Sequence, residues 1–519
     1  MRAISLGHAG ILVESGKTRI LCDPWFVPAF FGSWFPFPRN DRLSPDLIAK
    51  IESPTHLYIS HIHGDHLDEA FLAKHVSRNA VVLLPGFPTR ELERRLSALG
   101  FTNFLQTTDA QEIALDSATT IAIHVETSIT DGPGGDSALV VSDGVTRLVN
   151  QNDCRTGNLD ALRAHGPVDL HLLQFSGAIW YPMVYDDDEA TKRKLAIAKV
   201  ESQFARAHKY VETLDARAVV PSAGPPCFLD ESLFGLNMIT GDEVSIFPDQ
   251  QAFLSRLRAS GRTNDILAVP GTIIEISPDE IAVTHPTNVD VQEIFENKEA
   301  YLRKYQSEWA NWLAHEKQRW ACEPTDLLTT LRAWFEPLLA LAPSVRIGIG
   351  ASCLIETGGL SVLINFPEGK VEPFTDQEFS FRFTIPRDLL EIVAKQKSVD
   401  WSNSLFLSCR FSAWRSGEFN EYLYNFFKSL SVERMKRTEH EAVSRLQTNT
   451  ELSEEIELGD YVMQRKCPHR QADLSVFGEI NGNELTCSLH GWRFDLNDGH
   501  CLNAENRPLK VRRKIKPFV

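Results

Sequence analysis

The 519-residue sequence predicts an N-terminal α/β domain, then an α+β domain, then a small C-terminal metal-binding module. Three observations carry this prediction. Short apolar runs alternate with helical patterns through about residue 290. The strand-like runs VRIGIGASCLIE and FSFRFTIP then mix with the helix-like RDLLEIVAKQK and EFNEYLYNFFKSL. Near the C-terminus stand two mixed pairs, Cys467-Pro468-His469 and Cys487-Ser488-Leu489-His490.

In the first domain, residues 6–26, LGHAGILVESGKTRILCDPWF, read as a strand, a Gly-Lys turn and a second strand leading to Asp23-Pro24. The run HLYIS reads as a buried strand that delivers Ser60-His61-Ile62-His63-Gly64-Asp65-His66. His61 and His63, two apart in extended backbone, project to the same side, and Asp65 and His66 follow in a turn opened by Gly64. That spacing offers two histidines to one metal and an aspartate with a histidine to another. Along Thr120–Glu126, Ile121, Ile123 and Val125 point one way and His124 and Glu126 the other. GDSALVVSDGVTRLVNQND reads as a hairpin of two strands ending at Asp153.

At His61, His63, Asp65 and His66 the chain resembles the metallo-β-lactamase superfamily, whose HxHxDH motif is matched in full. The resemblance implies an αββα sandwich over residues 1–295 with a dinuclear metal site. It gives Asp153 the metal-bridging role and asks for a further ligand at the end of the strand Thr120–Glu126. Glu126 resembles the carboxylate that takes this place in a diiron β-hydroxylase of the same fold, with His124 as its rival. Asp65, Glu126 and Asp153 are thus the carboxylates expected at the chemistry. The last histidine of the hydrolase pattern is missing from ARAVVPSAGPPCF. His171, in VDLHLLQFSG, either compensates for it or is a core residue.

A helical stretch over 296–322 reads as a connector, and its Tyr301, Tyr305, Trp309 and Trp312 as a stripe for packing between domains. The α+β domain over 323–440 is similar to sterol-carrier-like domains. TEHEAVSRLQTNTELSEE, polar and weakly periodic, reads as a linker to the last domain, 455–519.

Two thiolates and two imidazoles as C-x-H and C-x-x-H form the ligand set of a Rieske [2Fe–2S] cluster. The alternative is a structural Cys₂His₂ zinc site. Pro468 and Gly491 lie in the two loops, and CSLHGWRFDLNDGHCL resembles the second cluster loop of Rieske ferredoxins and oxygenases, which implies a small all-β domain held by Cys467, His469, Cys487 and His490.

A net charge of −16 opposes a nucleic-acid role, since phosphate binding needs concentrated basic charge. The basic run KVRRKIK at the end reads as a solvated strand that can also dock an acidic electron donor. No signal-peptide pattern or long apolar run is seen, so the expectation is a cytoplasmic protein off the membrane. The cysteines outside the cluster, Cys22, Cys154, Cys227, Cys322, Cys353, Cys409 and Cys501, are dispersed without disulfide-framework spacing.

An electron carrier is explained if the sandwich holds iron and activates O₂. The combination resembles the CMP-N-acetylneuraminate hydroxylase family, although there the Rieske module leads and here it trails. The expected function is therefore O₂-dependent hydroxylation or N-oxygenation of a small polar substrate at a diiron site. The expected donor is a ferredoxin or cytochrome-type carrier with an NAD(P)H reductase, and a homo-oligomer is compatible with this scheme. Two other readings stay open: a zinc hydrolase, such as a lactonase or phosphodiesterase, with a redox-sensing Rieske module, and an electron-transfer protein with a non-catalytic sandwich.

Overall fold

The computed structural model describes residues 1–127, 134–177, 179–238, 244–320, 325–447, 454–469, 471–504 and 508–514. Cys322, the middle of the expected linker and the end of the basic run lie outside the described residues. The chain divides into two compact units. The first comprises Met1–Met183, Glu189–Gln318 and Leu407–Cys409, the second Val184–Asp188, Arg319–Phe406 and Arg410–Val519.

The first unit is built on two sheets. In the eight-stranded sheet the order is Ile281–Thr284, Ile273–Ile276, Arg2–Gly7, Gly10–Ser15, Thr18–Cys22, His56–Tyr58, Val81–Leu84 and Phe104–Gln106. The six-stranded sheet runs Ala218–Ser222, Leu170–Gln174, Arg147–Asn152, Asp136–Ser142, Thr120–Glu126 and Ile113–Ala114. Alternation along the strands decides what each face buries. Ile11, Val13, Ile20, Cys22, Tyr58 and Leu83 of one sheet pack against Ile121, Ile123, Leu139, Val141, Leu148 and Leu172 of the other. The opposite face of the larger sheet carries Leu12, Leu21, Leu57 and Val82, which bury Leu47, Ile51, Phe71, Leu72, Leu92 and Leu96 of three short helices. Helix Glu189–Leu214 covers the smaller sheet through Phe204, Ala207, Tyr210, Val211 and Leu214. The result is the αββα layering of a metallo-β-lactamase fold.

The helix read as a connector, Lys298–Trp320, lies within this unit except at its last residues. Its aromatic stripe, expected to pack between domains, packs on residues of this same unit. Tyr305, Trp309 and Trp312 surround the buried Phe35 at ring distances of 5.9, 5.5 and 5.7 Å. The Phe35–Phe37 segment supplies the apolar wall for which the stripe is complementary.

In the second unit a five-stranded sheet, ordered Lys370–Pro373, Leu360–Asn365, Ser352–Thr357, Phe381–Thr384 and Ser412–Arg415, carries the helices Leu327–Ala340, Arg387–Gln396, Glu421–Lys428 and Val432–Gln447. Two corrections arise here. The first half of VRIGIGASCLIE is a helix, Pro343–Ile349, with Pro343 in its first turn and Gly350 closing it at φ +66°. That pairing of Pro at the start and Gly at the end outweighs the β-branched composition. The expected linker is helical through Gln447, because Met435, Thr438 and Ala442 repeat at helical spacing and are buried. Its Glu439 carboxylate accepts from the Ser344 and Val345 N–H groups at 3.0 and 3.1 Å, capping the Pro343 helix with negative charge. The remaining residues form two three-stranded sheets, Glu455–Leu458 with Tyr461–Gln464 and Val511–Arg513, and Gly478–Asn481 with Glu484–Cys487 and Trp492–Asp495.

Candidate metal centres

The loop Ser60–His66 leaves the strand His56–Tyr58 and is anchored on Asp23, at the end of the neighbouring strand. Ser60 donates from its N–H and its hydroxyl to the fully buried Asp23 carboxylate at 2.8 and 2.7 Å. The same carboxylate lies 3.1 Å from His66 Nδ1. Asp136, the first residue of its strand, stands 3.2 Å from His61 Nδ1. A carboxylate on Nδ1 fixes the ring and leaves Nε2 as the donor to a metal. Gly135, at φ +111°, is required just before Asp136, because a Cβ there would meet the Glu126 carbonyl oxygen at 2.4 Å.

His66 Nε2 lies 3.7 Å from Asp153 Oδ1 and 3.8 Å from Asp65 Oδ2. His61 Nε2 lies 2.8 Å from His63 Nδ1. Donor atoms of His61, His66 and Asp153 all fall within 4.8 Å of one another, as do those of His8, Asp65 and His66. His63 Nε2, His66 Nε2 and Asp153 Oδ1 are buried with no hydrogen-bond partner. An orphaned buried polar atom costs ~1–3 kcal/mol, and three of them on residues of one cluster fit a metal, for which imidazole and carboxylate suit zinc or iron. His8, Asp23 and Asn152 also hold left-handed backbone, at φ +52°, +41° and +41°, next to the donors. Such residues cost roughly 1–2 kcal/mol each and collect at functional sites.

Charge follows the same geometry. Burial disfavours the His66 cation, but Asp153 and Asp65 outweigh it and hold its pKa well above the usual value. Burial and then His61 push His63 well below. Burial raises Asp136 in spite of His61.

The arrangement departs from the sequence expectation in several places. The donor groups pair His61 with His66 and Asp153, and leave His63 at the side of His61. His8, which no sequence argument singled out, lies with Nε2 3.0 Å from Asp65 Oδ2 and its ring edge-on to Trp25 at 4.9 Å. Its signal was a histidine inside the turn Gly7-His8-Ala9-Gly10. Glu126 closes its strand with its backbone opposite Asp136, and among the described residues it joins neither donor group. His124 turns elsewhere, its Nε2 2.8 Å from His165 Nε2, and burial followed by the His165 charge takes its pKa down to about 4. His171 is a core residue: fully buried, 2.9 Å from the Gln151 amide oxygen, with burial lowering its pKa to about 3.

In the second unit Cys467, His469, Cys487 and His490 converge. Cys467 and Cys487 are buried, and the Cys487 thiol is lowered by its hydrogen bond with Cys467, against burial and with help from the Leu489 and His490 N–H groups. The rings of His469 and His490 stand 4.8 Å apart at 87°, and Trp492 stacks on His469 at 4.1 Å. Cys467 N–H donates to Ala472 and Gln471 N–H to Cys467, closing the first loop. Gly491, at φ +73°, donates to Cys487 and accepts from Asn503 Nδ2 at 2.8 Å, closing the second. The donor set, two soft sulfurs and two imidazoles in two closed loops, fits an iron–sulfur cluster.

A model of the Rv3818-like, SCP2-like domain matches residues 327–444, and a model of the Rieske [2Fe-2S] domain matches residues 425–512. A protein of Mycolicibacterium smegmatis named for a Rieske 2Fe-2S iron-sulfur centre is 42% identical over 525 aligned positions, covering 99% of this chain and 100% of that one. The chain belongs to the Rieske-containing Rv3818-like family. Cytidine monophosphate-N-acetylneuraminic acid hydroxylase of Danio rerio is 26% identical over 227 residues, 42% of this chain and 37% of that one. Among solved structures, CmlA, a diiron β-hydroxylase from Streptomyces venezuelae, covers 51% of this chain and 52% of its own with a TM-score of 0.33 and 16% identity.

The Rieske match favours the iron–sulfur cluster over structural zinc. His469 is only 9% exposed, and its Nε2 lies 4.0 Å from the buried Glu421 carboxylate. Glu421 begins the helix Glu421–Lys428, and lies within the SCP2-like match just before the Rieske match starts at residue 425. A carboxylate beside a ligating imidazole raises its basicity and favours the oxidised cluster. Glu421→Gln is therefore expected to raise the reduction potential by on the order of tens of millivolts. Spectroelectrochemical titration checks this, and an unchanged potential would limit Glu421 to packing.

No helix among the described residues is long and apolar enough to cross a membrane. Cys22, Cys154, Cys227, Cys353, Cys409 and Cys501 are buried and take part in no disulfide.

Proposed function

We propose that this Rieske-containing protein is an O₂-dependent monooxygenase that hydroxylates or N-oxygenates a small polar substrate at a dinuclear iron site in its sandwich domain. The observation that carries the reading is the union in one chain of a Rieske domain with a separate buried cluster of imidazoles and carboxylates. A metal hydrolase activates water and uses no electrons. Monooxygenation needs an outside source of them, and a Rieske cluster passes them one at a time.

In this reading His61, His63, Asp65, His66 and Asp153 hold the metal pair, with His8 an additional donor. Cys467, His469, Cys487 and His490 hold the cluster. Bound iron supplies the O₂ activation that no side chain can perform. The chain's own part is to orient and to exclude water: Asp23 and Asp136 fix His66 and His61 through Nδ1, and burial keeps the donors dry. The similarity to a hydroxylase of a nucleotide sugar supports the reaction class. A ferredoxin or cytochrome-type carrier with an NAD(P)H reductase is the matching donor.

The test is to reduce the cluster, admit O₂ with amino-acid, amide or sugar-nucleotide candidates, and follow its reoxidation. Substrate-accelerated reoxidation is expected. Reoxidation that stays slow with every candidate, alongside undiminished ester or phosphodiester hydrolysis by His469→Ala, would favour a zinc hydrolase.

A further inference from the structure

Helix Glu189–Leu214 turns an inward face of Phe204, Ala207, Tyr210 and Val211 onto the smaller sheet, yet Lys199, Gln203 and Arg206 share that side at spacings of four and three. Buried polar side chains on such a face cost free energy unless they are partnered. Gln203 is 2% exposed, and neither its amide nitrogen nor its amide oxygen has a hydrogen-bond partner. Gly177 leaves room for it, since a Cβ there would meet the Gln203 nitrogen at 2.1 Å. Arg206 Nη2 reaches the oxygen of the buried Gln174 amide at 3.4 Å, and Arg155 Nη2 reaches the same oxygen at 3.1 Å. Two guanidinium groups thus meet on the one Gln174 amide oxygen. Among the described residues, no carboxylate lies within ion-pair distance of Lys199 or Arg155. Burial first, and then the Arg155 and Arg206 charges, takes the Lys199 pKa down to about 8.

The cluster lies at the sheet end from which Asp153 leaves, since Asn152 pairs with Leu173, next to Gln174. Arg155 is two residues past Asp153, and Tyr210 of the same helix feels Arg206 and Arg155 together with Glu126.

We propose that Lys199, Arg155 and Gln203, with Arg206 and Gln174, form an oxyanion subsite next to Asp153 that takes a carboxylate or phosphate group of the substrate. The inference deepens the oxygenase reading, and rests on it for the word substrate: the small polar molecule is an anion, held by its charged group with its reacting carbon or nitrogen left toward the metals. The anion would satisfy the Gln203 amide nitrogen and relieve the repulsion among the cations. Charge-assisted hydrogen bonds of this kind are about twice as strong as neutral ones.

The experiment uses the full-length holoprotein and two probes in separate calorimetric titrations, inorganic phosphate and acetate. Saturable binding of at least one is expected, weakening with ionic strength, and the stronger of the two names the class. Lys199→Met and Gln203→Leu, which keep the volume of the buried face, should each weaken that binding about tenfold or more while metal content and cluster absorption stay unchanged. Thermal melts provide a second readout: the anion should raise the Tm of the wild type and leave that of Lys199→Met where it was. Absence of saturable binding by both probes, equal binding in both variants, or loss of sandwich metal in either variant overturns the proposal. If the wild type binds an anion through Lys199 but its sandwich holds no iron, the subsite stands and the oxygenase reading falls.

Discussion

Asp153→Ala is expected to strip the sandwich of its metals and to lower substrate-dependent O₂ consumption on the order of a thousandfold or more. The reasoning is geometric. Asp153 Oδ1 is a buried acceptor without a hydrogen-bond partner, 3.7 Å from a His66 Nε2 that is equally unpartnered. Alanine removes a metal donor and also one of the two charges, with Asp65, that offset burial and hold the His66 pKa well above its usual value. The cluster should be untouched, because its ligands belong to the other unit. Elemental analysis beside visible absorption separates the two sites. Full metal retention by Asp153→Ala would remove Asp153 from the ligand set.

Cys487→Ser should have the converse effect. The Cys487 sulfur sits against that of Cys467 in a small module whose sheets have only three strands each, so little core remains once the cluster is gone. Loss of the visible and EPR signals is expected, together with faster proteolysis within residues 454–514 and complete loss of electron-driven turnover. The sandwich metals should stay bound. A cluster that assembles normally on Cys487→Ser would contradict the assignment.

The layers of the sandwich were legible because strand alternation and the HxHxDH run are local signals. Asp23 and Asp136 were less so: each is a lone acidic residue at a strand end, and its role depends on a histidine brought beside it by the sheet. His8 was hidden for the same reason, since its meeting with Asp65 spans two non-adjacent strands of the larger sheet. Periodicity also misled. The stripe Tyr301, Tyr305, Trp309 and Trp312 announced a buried face but not its partner, which Phe35 and Phe37 supply from far earlier in the chain. The helix Val432–Gln447 looked like a linker because few of its buried positions are large and apolar. The four residues proposed as cluster ligands, in contrast, lie in two short loops, where their spacing groups them.

Two iron sites in one chain are tested most directly by metal analysis of protein purified with and without air, paired with the same analysis of Cys487→Ser. About four irons per wild-type chain and about two in the variant are predicted, with zinc near zero in both. About two irons with two zincs in the wild type, and zinc alone in the variant, would contradict the diiron oxygenase and leave a zinc hydrolase joined to a Rieske domain.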